Sequence, residues 1–191
     1  MQKKIYIEAG ANDGVNGSRG IQFKDNSEYM GILIEPHPVI FNYCLNSRKN
    51  DNTLLYNVAL VSRNHKEPTI ELQLHSLHHP MNSIKKSIGQ AYNNSITVQA
   101  RTLQSIVDEN NISEVDYLYL DVEGYENEVL MGIDFNKTKF KYIEVECHAE
   151  FIGMSTEDEI KMHSDHLEKY NYKVIEKNTN EGSLKLVFIQ N

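Results

Sequence analysis

The stretch Ile7-Glu8-Ala9-Gly10-Ala11-Asn12-Asp13-Gly14 follows a short apolar run and leads into a glycine-rich turn. An apolar run bounded by glycine predicts a strand, Lys4–Glu8, that ends in a tight turn. Glycines at 10 and 14 let another group come close to the backbone. The carboxylates of Glu8 and Asp13 argue that this group is not a phosphate. Working outward, Gly31–Glu35 predicts a second strand, and Pro38 suits the first turn of a helix. Phe41, Cys44 and Leu45 mark that helix's apolar stripe. Thr53–Leu60 predicts a third strand. Ser62 to Ala100 is less regular and holds one alternating strand, Thr69–His75, then a polar loop around "HSLHHPMNS". A helix from about Thr102 has Leu103, Ile106 and Val107 on one face. Val115–Val122 is the fourth main strand, with a helix after it at Tyr125–Gly132. Lys141–His148 alternates, with Ile143, Val145 and Cys147 on one face. Thr156 and Glu159 have capping-box spacing, ahead of a stripe of Ile160, His163, Leu167 and Tyr170. Two closing strands, Tyr172–Glu176 and Ser183–Gln190, flank an Asn-Glu-Gly turn.

Strands that alternate with helices predict an α/β fold, a mostly parallel sheet covered on both faces, with an antiparallel hairpin at one edge. In such sheets ligands lie beyond the carboxyl ends of the strands. The 191 residues fit one domain. The net charge of −8, from 19 basic and 27 acidic residues, argues against a nucleic-acid partner, which needs a basic surface. No apolar run is long enough to span a membrane, and the amino terminus lacks a signal-peptide core. Cys44 and Cys147 are read as reduced thiols in a cytoplasmic protein.

Three cofactor classes compete for a glycine turn after a first strand. A dinucleotide wants G-x-G-x-x-G, which Asn12 breaks, and no G-x-x-x-x-G-K-[ST] string occurs. S-adenosylmethionine carries no phosphate, and its sulfonium is positive. It suits small residues among acids, and Glu35 at the end of the second strand can accept hydrogen bonds from both ribose hydroxyls.

The strings "IEAGANDG", "ILIEPHP", "NVAL" and "YLYLDVEGYENEVLMG" together resemble the FkbM-type family of S-adenosylmethionine-dependent methyltransferases, over about Ile5 to His148. "DVEGYE" is the most specific of them. The resemblance implies a seven-stranded, Rossmann-like class I methyltransferase sheet and O-methylation, often of sugars or natural-product hydroxyls. Its motifs put Glu8, Gly10, Ala11, Asn12, Asp13, Gly14, Glu35, Pro36, Ala59 and Asp121 at the cofactor. In two places this chain departs from the family pattern: Glu8 replaces Asp, and Tyr119 stands where Lys is common. The chain also starts directly at the first strand, so a domain excised from a longer multidomain polypeptide is one expectation.

Methyl transfer to a hydroxyl requires a positioned acceptor and help in removing its proton. Asp121 and Glu123 end the fourth strand; Glu146 and His148 end the fifth. Asp121, Glu146 and His148 make an oxygen/nitrogen set for Mg²⁺ or Mn²⁺. Alternatively His148 is a general base that titrates near neutrality. Glu123 is a further catalytic candidate. For Glu123 and Glu126 the plainer role is stabilising the next helix's amino end. Ser18, Arg19, Asn82, Ser83 and Glu126 are candidate substrate contacts. The stretch from about His75 to Tyr92 is expected over the methyl donor. His75, His78 and His79 are too loosely spaced to make a strong metal motif. Tyr92, Tyr125 and Phe151 could stack on a sugar, although a core aromatic is the commoner case. The favoured acceptor is a sugar or glycan hydroxyl. An N- or carboxyl methyltransferase of a small molecule or peptide, and a non-catalytic cofactor-binding domain, stay open.

Overall fold

The computed structural model describes residues 3–49, 51–74, 94–180 and 183–190. β1 (Lys4–Ala9) lies near the middle of a sheet because its residues are buried on both faces, as in parallel sheets covered by helices. After a 3₁₀ turn (Gly20–Phe23) come β2 (Tyr29–Ile34), α1 (Pro38–Arg48) and β3 (Thr53–Tyr56). The expected third strand stops at Tyr56. Ala59–Leu60 forms a separate strand, β4, which leaves for a second sheet with β5 (Thr69–Leu74) and β6 (Asn94–Arg101) in the order β4-β6-β5. β5 and β6 are antiparallel partners, so among its described residues the region expected to hold one strand holds two.

The chain returns through α2 (Leu103–Glu109) to β7 (Glu114–Leu120), α3 (Glu126–Met131), β8 (Lys139–Cys147), the short α4 (Ala149–Ile152), α5 (Thr156–Glu168), β9 (Tyr172–Asn180) and β10 (Ser183–Gln190). The main sheet has seven strands in the order β3-β2-β1-β7-β8-β10-β9. The five strands from β3 to β8 in that order run parallel. The expected edge hairpin is present, and its antiparallel member is the inner strand, β10. Ile7, Ile34, Leu118 and Val145 pack against Leu103, Ile106 and Val107 of α2 and Val129 and Leu130 of α3. Tyr6, Leu33 and Cys44 form a smaller cluster.

Two helix readings change. On α1 the buried positions are Ile40, Cys44 and Arg48, whereas Leu45 is exposed. Arg48 is fully buried because its guanidinium donates to Asp51, to the Gly14 carbonyl at 2.8 Å and to the Tyr6 hydroxyl at 2.8 Å. On α5 the cap is Ser155, whose hydroxyl accepts from the Asp158 amide at 3.1 Å, rather than Thr156. Glu159, expected to complete the box, instead accepts from the His148 amide at 2.9 Å. Among the described residues no helix is long and apolar enough to cross a membrane.

Candidate active site

Register builds the site. Ala9 pairs with Ile34 and Leu120, and Leu120 pairs with Val145. The next residues along the four strands, Gly10, Glu35, Asp121 and Glu146, therefore lie at one level of the sheet. Gly10 has φ +83°, and a Cβ there would lie 1.7 Å from the Asp121 carbonyl oxygen, so no side chain fits. The Gly10 and Ala11 amides both donate to the Ile34 carbonyl at 3.0 Å, which folds the turn back over β2. A cleft of about 750 Å³ opens above it. Gly10, Asn12 and Gly17 form one wall, Glu35 and Pro36 another, and Asp121, Val122 and Glu123 a third. Val58, Ala59, Leu60 and Leu72 add an apolar side, part of it from the small sheet.

Glu35 is held by two amides, Asn12 at 3.1 Å and His37 at 2.8 Å. Burial nevertheless raises its carboxyl from the ordinary 4.5 to about 7, against those hydrogen bonds. His37 itself caps α1, its Nδ1 accepting from the Val39 and Ile40 amides. The segment Glu35-Pro36-His37-Pro38 is thus a single device that fixes a carboxylate at the cleft and starts a helix.

Acids and one histidine crowd the opposite side. His148 Nε2 lies 3.7 Å from Asp121 Oδ1 and 3.5 Å from Glu123 Oε2, and its Nδ1 lies 3.2 Å from Glu126 Oε1. Burial alone would favour neutral imidazole. The hydrogen bond to Glu126 and the charges of Glu126, Glu123 and Asp121 overcome it and push the pKa up to about 10. The expectation of a histidine base titrating near neutrality is therefore not met, because three carboxylates are packed around the ring. Burial, then the Glu126 and Glu146 charges, raises Glu123 to about 7 despite His148. Burial and the Glu146 carboxylate also push Asp121 well up, although 48 % of its side chain remains accessible at the cleft. Glu123 sits at φ +56°, a sparsely populated conformation for a residue with a side chain. The Glu126 carboxylate holds this turn by accepting from the Val122 amide at 2.9 Å and the Gly124 amide at 3.2 Å.

The cofactor and catalytic candidates separate into those that line the cleft and those that hold it. Gly10, Asn12, Glu35, Pro36, Ala59, Asp121 and Glu123 line it. Glu8 does not: its carboxylate accepts from Ser18 Oγ at 2.7 Å, the Arg19 amide at 2.5 Å and the Gly20 amide at 3.1 Å. Ser18 is buried by that bond and so is not presented to a substrate. Asp13 accepts from the Val15 and Asn16 amides and shapes its own turn. Gly14 faces α1, where a Cβ would meet Arg48 and Cys44. Ala11 is buried in the Tyr6 cluster. Glu126 is buried behind the cleft wall and holds the turn and His148. Arg19 lines an adjoining cleft of about 290 Å³, together with Tyr119, Glu144, Glu146 and Lys185, and this cleft shares Gly10 and Asp121 with the first. Arg19 pairs with Glu144 at 2.8 Å and lies over the Tyr119 ring.

The donor atoms of Asp121, Glu146 and His148 do come within 4.8 Å of one another. Lys185 Nζ already lies 3.2 Å from Glu146. Asn82, Ser83, the three histidines at 75, 78 and 79 and Tyr92 lie outside the described residues, as does the side chain of Phe151. His37, Arg48 and Lys185 escaped the sequence reading. For His37 the signal was available: a polar residue directly before an N1 proline.

A glycine cradle, a carboxylate at the second strand's end and a D-V-E-G turn in this strand order can be compared with known proteins. The model for the Methyltransferase FkbM domain matches residues 8–174. The chain belongs to the FkbM methyltransferase family. The FkbM domain shares 26 % identity over 153 residues with the 2-O-methyltransferase NoeI of Sinorhizobium fredii, covering 74 % of this chain and 62 % of that protein. The match thus spans less than two thirds of that relative. Among solved structures, the FkbM methyltransferase of Methylobacillus flagellatus superposes with a TM-score of 0.61 at 12 % identity, over 98 % of this chain and 44 % of the other. Fibrillarin of Aeropyrum pernix, solved with natively bound S-adenosyl-L-methionine, gives 0.51 at 12 % identity, over 98 % and 66 %. At such identities the likeness shows the fold, the class I methyltransferase sheet.

Proposed function

We propose that this FkbM domain is an S-adenosylmethionine-dependent O-methyltransferase acting on a hydroxyl of a sugar or glycan. The observation that carries the reading is the cleft at the aligned strand ends, with Glu35 on one side and the Asp121–Glu123–His148 cluster on the other. The residues present fit the cofactor. Gly10 borders the cleft with bare backbone, Glu35 offers a fixed acceptor for ribose hydroxyls, and Val58, Leu60 and Leu72 offer an apolar flank for a base. S-adenosylmethionine, when bound, supplies a methyl group on a positively charged sulfur that leaves as a neutral thioether.

The chain's own residues have the remaining tasks. Arg19 and Lys185 line the adjoining cleft as donors, Glu144 and Glu146 as acceptors, a mixture suited to a polyhydroxyl compound. Glu123 or Asp121 takes the acceptor proton, since raised carboxyls are better bases than ordinary ones. His148, positively charged, orients both carboxylates and is itself fixed by Glu126. The name of the relative, a 2-O-methyltransferase, favours an oxygen acceptor. Lys185 on Glu146 and His148 beside Asp121 already set a cation against each carboxylate of the candidate ligand set, which favours a route without Mg²⁺ or Mn²⁺. The same proposal includes a cytoplasmic setting, supported by two free thiols, and further domains of one polypeptide as partners. Nucleic acid is no part of it, given the acidic net charge.

The test is a labelled-methyl transfer assay across sugars and glycans, amines and carboxylates, with and without added Mg²⁺ or Mn²⁺. We expect label in an alkali-stable sugar ether, lost in Asp121→Asn or Glu123→Gln, with no stimulation by either ion. Label in an amine or an ester, or in no acceptor, would overturn the reading.

A further inference from the structure

Behind the methyl-transfer cleft, on the far side of His148, lies a second group of side chains that the proposed reaction leaves unused. Cys147 ends β8, and Glu159 and His163 sit one turn apart on α5, so the i,i+4 spacing turns both toward the end of that strand. A thiol sulfur, a carboxylate oxygen and a ring nitrogen from these residues lie within 4.8 Å of one another. We propose that Cys147, Glu159 and His163 bind a borderline-soft divalent ion of the Zn²⁺ class, at a site separate from the cleft.

The first argument is hydrogen bonding. Glu159 and His163 are 0 % and 1 % exposed. Buried polar side chains nearly always have partners. Yet neither ring nitrogen of His163 has a hydrogen bond, and neither does Glu159 Oε2. The other oxygen, Oε1, accepts from the His148 amide at 2.9 Å. One ring nitrogen of His163 and Glu159 Oε2, both without a partner beside a buried thiol, are explained together by one cation.

The second argument is charge. The carboxylate of Glu159 lies beside the Cys147 thiol, and those of Glu126 and Glu146 also act on it. Negative potential collects there, and a divalent ion relieves it; on binding, the ion takes the sulfur as thiolate and the thiol proton goes to solvent. The third argument is ligand chemistry and geometry. Sulfur, imidazole nitrogen and a carboxylate oxygen are a Zn²⁺ donor set, whereas Mg²⁺ and Ca²⁺ want oxygen only. Tetrahedral Zn²⁺ holds its donors about 3.4–3.7 Å apart. His163 Nε2 and Glu159 Oε1 are already 3.7 Å apart. A cleft of about 540 Å³ lined by Met154, Met162 and His163 leaves a side open for a fourth ligand, such as water. Glu159 joins the two sites, since its carboxylate faces the ion while its Oε1 also accepts from the His148 amide. A bound ion would clamp α5 to the strand that carries the active-site histidine.

The experiment uses the full chain, stripped with a chelator, dialysed and titrated with Co²⁺ and then Zn²⁺. Wild type should take up one equivalent of Co²⁺ with a near-ultraviolet thiolate charge-transfer band, and Zn²⁺ should displace it and raise the melting temperature. The band should survive in Cys44→Ser and Asp121→Asn and disappear in Cys147→Ser and His163→Gln, whose melting should no longer respond to Zn²⁺. Absence of the band in wild type overturns the proposal without reliance on any variant's folding. So does a band lost in Cys44→Ser, or binding retained in Cys147→Ser and lost in Asp121→Asn. Because the readouts are spectral and thermal, failure of the methyltransferase reading would leave them unchanged.

Discussion

Replacing Glu35 by Gln sets stability against binding in one residue, because its carboxylate is buried at the cleft before any ligand arrives. The rise of its pKa from 4.5 to about 7 corresponds to about 3 kcal/mol at roughly 1.36 kcal/mol per pH unit. The folded value lies above the unfolded one. Its contribution to stability is therefore fully present below about pH 4.5 and is lost as pH rises through about 7. Gln does not ionise, so the stability of Glu35→Gln relative to wild type should improve by about 3 kcal/mol between pH 4.5 and pH 8. Part of the absolute gain is offset, because Glu35 accepts from two amides and Gln has only one acceptor oxygen. Binding should move the other way. Losing a charged acceptor for the ribose hydroxyls should cost about 1.5–3 kcal/mol, roughly 10- to 150-fold in affinity. Titration calorimetry with S-adenosylhomocysteine at pH 8 reads this directly. Wild-type affinity should also weaken as pH falls below about 7, approaching tenfold per pH unit, with the Glu35-dependent part of that slope missing in the variant. Equal affinities at pH 8, or identical pH slopes, would refute the assignment of Glu35 to the ribose.

Three further outcomes are expected. Gly10→Ala puts a Cβ at 1.7 Å from the Asp121 carbonyl at φ +83°; denaturant unfolding should show a loss of more than about 2 kcal/mol, and a change within about 0.5 kcal/mol would contradict the close approach. Arg48→Ala strands the buried Asp51 carboxylate and frees the Gly14 carbonyl; it should cost about 3–5 kcal/mol, and a near-neutral result in the same assay would show that the glycine turn does not depend on it. The rate of methyl transfer should rise with pH through about 7 as Glu123 deprotonates, while His148 stays charged up to about 10. Glu123→Gln should abolish that limb, and nitrogen-15 spectra showing neutral His148 at pH 8 would remove the argument.

The strand ends were legible from local pattern. Apolar runs stopped by Gly10, Glu35 and Asp121 mark where three parallel strands must stop, and parallel topology brings such ends to one edge. Strand boundaries and motif spacing therefore sufficed to place a cleft at those strand ends. Helix faces were less legible. On α1, Arg48 lies on the buried side because Asp51 neutralises it there while Tyr6 and two carbonyls accept its remaining hydrogen bonds, and no hydropathy pattern marks a charged residue as core. β4 and β6 pair Ala59 with Ala100 and Leu60 with Arg101, 41 positions apart, a contact no local period reveals.

What the sequence by itself determined is the class of fold, the family and the carboxylate at the second strand's end, because each is encoded by residues adjacent along the chain. Tertiary structure alone decided which acids line the larger cleft and which do not. Glu8 and Glu35 look equivalent in sequence, each an acid at the end of a strand. Yet Glu8 is enclosed by Ser18, Arg19 and Gly20, while Glu35 borders the cleft. The protonation of His148 was decided at the same level. A side chain's charge depends on every group packed around it, and Asp121, Glu123 and Glu126 reach His148 only once β7 and β8 lie side by side.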